Sequence, residues 1–163
     1  MAAPSLPLRP ATAADAPRIA ALVNAAFQVE RFFVEGDRIS ADEVASMMAR
    51  GSFLLAEDED ALVGCVYAEP RGESGYLGLL SVDPARQAQG VGRFLVAAAE
   101  DHCRRAGCRR MDMLIVNLRT ELPPFYRRLG YAESGTAPFP DNGRATQRCH
   151  FIRMSKPLDA AAG

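Results

Sequence analysis

One stretch, LLSVDPARQAQGVGRFLVAAAE, limits what this chain can fold into more than any other. The apolar run YLGLLSV that leads into it is typical of a buried strand, and Pro84 ends that strand because proline has no backbone N–H to donate. After Gly90 and Gly92, apolar residues recur at helical spacing. Glycines let backbone amides approach an anion closely, and a helix N-terminus carries about half a positive charge. The stretch therefore predicts a strand, a phosphate-binding turn and a helix.

Three phosphate motifs compete for this turn. A Walker A loop requires GxxxxGK[ST], but neither that spacing nor its lysine is present, since the lysine of this chain is Lys156. A dinucleotide fingerprint requires GxGxxG, and its third glycine position is held by Leu95. What remains is QxxGxG, formed by Gln87, Gly90 and Gly92. A plain strand-to-helix turn would use the same glycines, so the motif alone leaves that alternative open.

The chain before this stretch predicts one strand, two helices and a three-stranded meander. A short strand at about residues 6–9 is followed by a helix that begins near Asp15 and ends near Gln28. The second helix opens with the capping box Ser40-x-x-Glu43 and ends near Gly51. The apolar runs SFLLAED and ALVGCVYAEP, joined by an acidic turn at 58–60, then form a hairpin that continues into YLGLLSV.

After the glycines we predict a helix, a strand, a short helix and two final strands. The long helix ends at basic residues before Gly107, RRMDMLIVN forms a buried strand, and ELPPFYRRLG forms the short helix. Two strands then flank the loop APFPDNG. The resulting order β-α-α-β-β-β-α-β-α-β-β indicates a single α/β domain over residues 1–158, with residues 159–163 as a disordered tail.

Charge and cysteine usage exclude several classes of protein. With 163 residues the chain suits one domain that buries a core without metals or disulfides, and its formal net charge of −1 lacks the basic footprint of nucleic-acid or membrane binding. The four cysteines form no CxxC pair and no zinc-ligand spacing, so we expect free thiols and no metal site. No signal-peptide pattern and no apolar run of membrane length occur, which favours a soluble cytoplasmic protein.

The central stretch resembles motif A of the GNAT superfamily of N-acetyltransferases, an apolar strand ending in V-x-P, then [QR]-x-x-G-x-[GA], then a long amphipathic helix. Three further segments are similar to the superfamily in the same order: LRPATAADAPRIAALVNAAF to its opening strand and helix, FYRRLGY to its late Y-x-x-x-G-[FY], and CHFIRMSKPL to its closing strand. The resemblance implies a GNAT-like domain with a mixed central sheet of about seven strands. It also implies that acetyl-CoA binds as co-substrate where the fourth and fifth strands splay apart.

Carried onto this sequence, the resemblance implies a set of donor-binding residues. The backbone of Leu80, Ser81 and Val82 would pair with the pantetheine arm of acetyl-CoA, as an added strand pairs with a sheet edge. Gln87 would mark the start of the motif. The pyrophosphate would be held by amides of the turn, contributed by Ala88, Gln89, Gly90, Val91, Gly92 and Arg93. Relatives often carry an asparagine seven residues before the late tyrosine; that position is Arg119 here, and Asn117 two residues upstream is the candidate ligand.

Tyr126 matches the family tyrosine that lies near the thioester sulfur. When an amine attacks the thioester, CoA leaves as a thiolate, and a phenol with an ordinary pKa of about 10 can donate a proton to that thiolate. The resemblance therefore implies that Tyr126 is the general acid. The alternative for Tyr126 is an aromatic side chain packed in the core.

The general base is not identified by the sequence. A primary ammonium with a pKa near 10 must lose a proton before it attacks, and many relatives place a glutamate on the fourth strand for this purpose. YLGLLSV contains no carboxylate, so the chain departs from the family there. The remaining candidates are Glu73, Glu69, Glu30, Glu35, Asp112 and His150, each of which is also compatible with an ordinary surface position.

The leading hypothesis is an N-acetyltransferase that moves an acetyl group from acetyl-CoA to a primary amine of a small molecule or peptide by direct attack. A non-catalytic acyl-CoA-binding module is the rival, and a longer acyl group is a third alternative. For the acceptor, Phe27, Phe32 and Phe33 are candidate lining residues, while acidic positions and the loop 137–143 would suit a cationic substrate; the acidic positions are Glu30, Glu35 and Asp37. Family members often dimerise, which leaves a homodimer open.

Overall fold

The computed structural model describes residues 6–140 and 143–158, whose strands form one seven-stranded sheet in the order β1-β2-β3-β4-β5-β7-β6. The strands are β1 (Leu8–Pro10), β2 (Ser52–Asp58), β3 (Ala61–Arg71), β4 (Ser74–Val82), β5 (Arg110–Val116), β6 (Ala132–Pro138) and β7 (His150–Pro157). The helices are α1 (Ala16–Ala26), α2 (Ala41–Met47), α3 (Val91–Arg105) and α4 (Leu122–Arg128). The predicted order of elements is confirmed, and the predicted disordered tail at 159–163 lies outside the described residues.

Local side-chain chemistry sets the ends of the first two helices. Asp15 precedes α1, but its carboxylate accepts hydrogen bonds from the Thr12 amide at 2.8 Å and from Arg9 at 2.9 Å, and does not cap α1. The helix ends at Ala26, two residues earlier than predicted, because the chain tightens into a 3-10 turn over Phe27–Glu30. At α2 the predicted capping box forms: the Glu43 amide donates to Ser40 Oγ at 3.1 Å, and the Ser40 amide donates to Glu43 Oε1 at 3.2 Å.

The predicted meander of β2, β3 and β4 is antiparallel, and β4 carries an irregularity that the sequence did not indicate. Opposite Tyr67 lies Gly78, whereas opposite Cys65 lies Ser81, so β4 contains one residue more than its partner over this interval. Leu79 has a φ of +52° there, a conformation that a branched residue rarely adopts. This β-bulge bends β4 just before residues 80–82.

Among the described strands, the sheet opens between the one parallel pair, β4 and β5. Residues 74–76 pair with residues 110–112, and the pairing ends there. Beyond that point, β5 continues along β7 to the pair formed by Val116 and Phe151, while β4 continues along β3 to the pair formed by Val82 and Gly64. The predicted splay between the fourth and fifth strands is confirmed. It leaves two facing strand edges whose backbone amides and carbonyls do not bond to each other.

Each face of the sheet packs against its own hydrophobic core. Residues of β2 alternate between the two cores, so that Leu54 joins the core under α3 while Phe53 joins the core under α1 and α2. The α3 core contains Leu95, and the α1 core contains Val23 and Val44. Among the described residues, no helix is both long and apolar enough to cross a lipid bilayer.

Candidate active site

A cavity of about 770 Å³ passes through the sheet where β4 and β5 separate. Its walls come from both hydrophobic cores. Val91 and Tyr126 belong to the core under α3, while Tyr76 and Leu79 belong to the core under α1 and α2. Because the cavity reaches both faces of the sheet, two molecules can approach the gap from opposite sides and meet between the strands.

The glycine turn forms the wall of this cavity on the α3 face. Gly90 precedes α3 with a φ of +81°, and its carbonyl accepts the first helical hydrogen bond, from the Phe94 amide, at 3.1 Å. The amides that follow Gly90 therefore begin the helix without acceptors of their own. Ala88 also has a positive φ, +65°, which a non-glycine residue adopts at a cost and which often marks a binding site. Gly92 lies within the first helical turn and has no unusual φ.

Most of the sequence-predicted donor residues line the cavity, namely Leu80, Val82, Gln87, Ala88, Gly90, Val91, Gly92 and Arg93. Ser81 is buried and its hydroxyl donates to the Leu79 carbonyl at 2.9 Å. Gln89 is exposed and accepts from Arg86 Nε at 3.1 Å. Asn117 joins the end of β5 to the start of β7, because its Oδ1 accepts from the His150 amide at 2.8 Å. Ser81, Gln89 and Asn117 are not among the lining residues, and their roles toward a donor stay predictions.

Three arginines line the cavity together with the glycine turn. Arg86 follows β4, Arg93 lies in the first turn of α3, and Arg128 lies in the last turn of α4. Arg86 is paired with Asp58 at 3.1 Å, whereas within residues 6–140 and 143–158 neither Arg93 nor Arg128 makes an ion pair. Unneutralised guanidinium groups beside free helix amides favour a ligand that carries phosphates.

Tyr126 lies on α4 with only 4% of its surface exposed. Its ring packs edge-on against Phe125 and Tyr131, at centroid distances of 5.0 and 5.9 Å. Its hydroxyl makes no hydrogen bond within the described part of the chain, and since no buried polar atom there lacks a partner, the hydroxyl oxygen is accessible from the cavity that the residue lines. Burial raises the pKa of this phenol above its ordinary value, so Tyr126 is protonated at neutral pH and available as a donor.

An ion pair that the sequence did not reveal also lines the cavity. Arg119, seven residues before Tyr126, donates from Nη1 to Glu30 Oε2 at 2.8 Å and from Nε to Glu121 Oε2 at 3.1 Å. Burial raises the pKa of Glu30 despite this partner, so the carboxylate is more basic than an ordinary glutamate. Glu30 Oε1 has no hydrogen bond to the described residues. The two residues lie 89 positions apart in the sequence. The sequence singles out Arg119 only as the residue seven positions before Tyr126.

Of the six candidate bases, Glu30 alone is among the cavity-lining residues. Glu69 accepts from the Tyr67 hydroxyl and from Arg71 Nε, each at 2.5 Å, and the bond from Arg71 lowers its pKa. Asp112 accepts from Ser155 Oγ at 2.6 Å. The other three candidates, Glu73, Glu35 and His150, are exposed outside the cavity.

The wall on the α1 face, here called the acceptor compartment, is formed by Phe27, Glu30, Asp37, Arg38 and Tyr76. The guanidinium of Arg38 lies 5.6 Å from the centre of the Phe27 ring. Of the other two aromatic candidates, Phe33 is fully buried and Phe32 is half exposed, and neither lines the cavity. The loop 137–143 contributes Phe139 and Pro140, while its residues 141 and 142 lie outside the described part of the chain. Sequence reasoning had missed Arg38 and Tyr76.

Comparison with known proteins identifies relatives of the same kind. The family model described as "Acetyltransferase (GNAT) family" matches residues 18–131. A curated relative, glucosamine 6-phosphate N-acetyltransferase 1 of Oryza sativa subsp. japonica, is 31% identical over 108 residues, which cover 61% of this chain and 64% of that protein. The chain spans between 37% and 64% of the length of the first curated relatives that it matches.

Solved structures have the same fold. The ribosomal-protein-S18-alanine N-acetyltransferase from Escherichia coli superposes with a TM-score of 0.77 at 17% identity, covering 97% of both chains. The protein YncA from Salmonella typhimurium, solved with its cofactor acetyl-CoA, superposes with a TM-score of 0.74 at 21% identity, covering 98% of both chains.

Proposed function

The chain belongs to the acetyltransferase (GNAT) family, and on that premise we propose that it transfers the acetyl group of acetyl-CoA to a primary amine of a small molecule or peptide. The observation that carries the proposal is the cavity through the splayed sheet. One mouth has a glycine turn, free helix amides and arginines, and the other has a separate compartment under α1. Two mouths on one gap suit a ternary complex of donor and acceptor.

The donor would bind along β4 and across the glycine turn. Residues 80–82 present a strand edge toward the gap, and the pantetheine arm carries amides that can pair with such an edge. The pyrophosphate would lie on the amides at the start of α3, with Arg93 and Arg128 supplying positive charge. This arrangement holds the thioester in the gap, close to Tyr126.

The chemistry would be a direct attack in which all protons are accounted for. The amine lone pair forms a C–N bond to the thioester carbonyl carbon, the C–S bond breaks, and its electron pair leaves on sulfur. Tyr126 gives its phenolic proton to this thiolate and is reprotonated from water. The amine nitrogen loses two protons. The first, lost before attack, would pass to Glu30 Oε1, directly or through a water, because burial makes Glu30 more basic and Arg119 holds its other oxygen. The second, lost after the C–N bond forms, would pass to water, so that one proton in total is released to solvent.

Direct attack is also supported by the cysteines. All four are free thiols, and none lines the cavity. Burial raises the pKa of Cys65 and of Cys103 to about 12, which keeps both as unreactive thiols at neutral pH. A covalent acyl-cysteine intermediate therefore has no candidate nucleophile here. Free thiols are also typical of a reducing compartment, and we place the protein in the cytoplasm on that ground.

The proposal is tested by measuring donor binding and CoA release separately. Calorimetry with acetyl-CoA should give saturable binding, and a thiol assay should detect CoA that appears only when a pool of amines, amino acids and peptides is added. CoA released without amine measures hydrolysis and serves as the blank. Binding of acetyl-CoA without amine-dependent release of CoA across the pool would contradict the proposed acetyl transfer and favour a non-catalytic acyl-CoA-binding module. Competition by longer acyl-CoA molecules tests the length of the acyl group.

A further inference from the structure

We propose that the acceptor is an amine that also carries an anionic group, a carboxylate or a phosphate, and that Arg38 and the Tyr76 hydroxyl bind this group. The inference rests on the proposed acetyl transfer and concerns the acceptor compartment alone. Arg38 and Tyr76 both line that compartment, on the face of the sheet opposite the glycine turn. They are therefore separate from the residues proposed to bind the donor phosphates.

The carboxylates of the acceptor compartment are hydrogen-bonded to other arginines, whereas Arg38 acts on Glu30 only through space, by lowering the pKa of that carboxylate. Glu30 is bound by Arg119 at 2.8 Å, and the Asp37 carboxylate is bound by Arg31 at 3.2 Å. In the described parts of the chain, the Arg38 guanidinium makes no hydrogen bond or ion pair, and its only ring contact is with Phe27. Arg119 is shared between Glu30 and Glu121, so the charges of these residues balance. The Arg38 guanidinium nevertheless keeps its N–H donors for a ligand, and an anionic group on the acceptor would accept them.

The segment that carries Arg38 is held in position by hydrogen bonds to Arg144. The Arg144 guanidinium donates to the carbonyls of Glu35 and Asp37, and the Glu35 amide donates to the Arg144 carbonyl at 2.8 Å. Gly36, between them, adopts a φ of +82°. Fixing this backbone reduces the entropy that Arg38 would lose on binding a ligand, which is what a preorganised recognition residue requires.

Tyr76 supplies a neutral donor to the same compartment. Its ring lies across Gly78, where an added Cβ would come within 2.8 Å of ring atom Cε1 and 3.1 Å of the hydroxyl oxygen. The Arg71 guanidinium stacks 4.3 Å from the ring centre. The Tyr76 hydroxyl has no hydrogen-bond partner among the described residues, and burial raises its pKa, so it retains its proton. A guanidinium together with a phenol is a donor set that suits carboxylate or phosphate oxygens.

The Arg38 guanidinium would also serve the chemistry that follows binding. A cation close to a bound ammonium lowers the pKa of that ammonium, which increases the fraction of neutral, nucleophilic amine. β4 carries no carboxylate that could accept the proton on the spot. The anionic group of the acceptor would offset the repulsion between the two cations while the substrate binds. Recognition and activation of the amine would then depend on the same arginine.

Matched pairs of amines test the inference. The standard amino acids are compared with their C-terminal amides, and phosphoethanolamine with ethanolamine, by kcat/KM for CoA release; the two series separate carboxylate from phosphate. The native protein should prefer the anionic member of at least one pair by about 10- to 100-fold, the value of one charge-assisted hydrogen-bond set. Arg38→Gln should remove that preference, and Tyr76→Phe should reduce it. Arg109→Gln removes one exposed charge outside the cavity and should leave the preference unchanged.

The outcomes separate this inference from the proposed function. The anionic acceptor would be overturned if the native protein used anionic and neutral amines with equal kcat/KM, or if Arg38→Gln lowered kcat/KM equally for both amines of a pair. The proposed acetyl transfer would stand in either case. No CoA release with any amine would instead contradict the transferase. In that event, calorimetry of phosphoethanolamine and of the amino acids against the CoA-bound protein still tests the site. Binding that disappears in Arg38→Gln supports the inference, and no binding of any anionic probe refutes it.

Discussion

Two glycines of the same turn differ in backbone conformation, which makes Gly90→Ala and Gly92→Ala a matched pair. Gly90 has a φ of +81° at the start of α3. Gly92 lies one residue into the helix, and a Cβ added there would meet Phe125 Cζ at 3.6 Å and Val82 Cγ2 at 3.9 Å, which are ordinary contacts. The same chemical change is therefore strained at one position and accommodated at the other.

The expected effects on stability have opposite signs. Alanine in the left-handed region costs about 1–2 kcal/mol, which should destabilise Gly90→Ala by that amount. Alanine in a helix is more favourable than glycine by about 0.5–1 kcal/mol, so Gly92→Ala should be stabilised. For a domain of this size, about 1 kcal/mol changes Tm by roughly 2–4 °C. Tm should fall by about 2–8 °C in the first variant and rise by about 1–4 °C in the second.

Donor binding should distinguish the two variants again. If Gly90→Ala moves the amides that are proposed to hold the pyrophosphate, the loss of one charge-assisted hydrogen bond raises Kd for CoA by about 10-fold or more. Gly92→Ala keeps its backbone, and its Kd should stay within about threefold of the native value. Thermal unfolding gives the first comparison and calorimetry with CoA the second. A Gly90→Ala variant with native Tm and native Kd, or a larger loss of stability in Gly92→Ala, would refute the reasoning.

Three further predictions concern the proposed chemistry and the first turn of the fold. Tyr126→Phe keeps the buried ring and should lower kcat by about 10²- to 10⁴-fold while Kd for CoA stays unchanged by calorimetry; an unchanged kcat would contradict the general-acid role. Glu30→Gln should flatten the acidic limb of the kcat/KM profile, because the native Glu30 pKa lies above its ordinary value and activity is lost as pH falls through it; an acidic limb that persists in the variant would point to another base. The hydrogen bond from Arg9 lowers the pKa of Asp15 in the folded protein. The ion pair therefore stabilises the fold above the unfolded-state pKa of about 4, and this stabilisation is lost as pH falls below that value. Asp15→Asn should therefore lower the free energy of unfolding, measured with urea at pH 7, by about 1–3 kcal/mol. The difference in unfolding free energy between the native protein and the variant should shrink toward pH 2, and a difference independent of pH would count against this ion pair.

Elements that depend on neighbouring residues were predictable from the sequence. The capping box of Ser40 and Glu43, the acidic turn before β3, and Gly107 after α3 each act within a few residues, and each is present in the structure. The β-bulge at Leu79 was not predictable, because YLGLLSV reads as a regular strand and only its pairing with β3 exposes the extra residue.

The two mouths of the cavity also differ in how far apart their residues lie in the sequence. The glycine turn is one continuous stretch, so its residues could be named together from the sequence. The acceptor compartment combines the segment that follows α1 with Tyr76 at the start of β4, and its Glu30 pairs with Arg119, 89 positions further along the chain. A single sequence carries no signal for such a pairing. For the same reason, the sequence could not tell that Asn117 holds β7 with its side chain while Glu30 reaches the cavity.

The opening between β4 and β5 has a consequence for the cohesion of the whole sheet. Four strands on one side and three on the other are joined across this seam by three residue pairs. A donor that paired with residues 80–82 while contacting β5 would join the two halves along the rest of the seam. Binding of CoA would then be coupled to the association of the two halves of the sheet. Hydrogen exchange of the backbone amides at both facing edges should slow together as CoA is added.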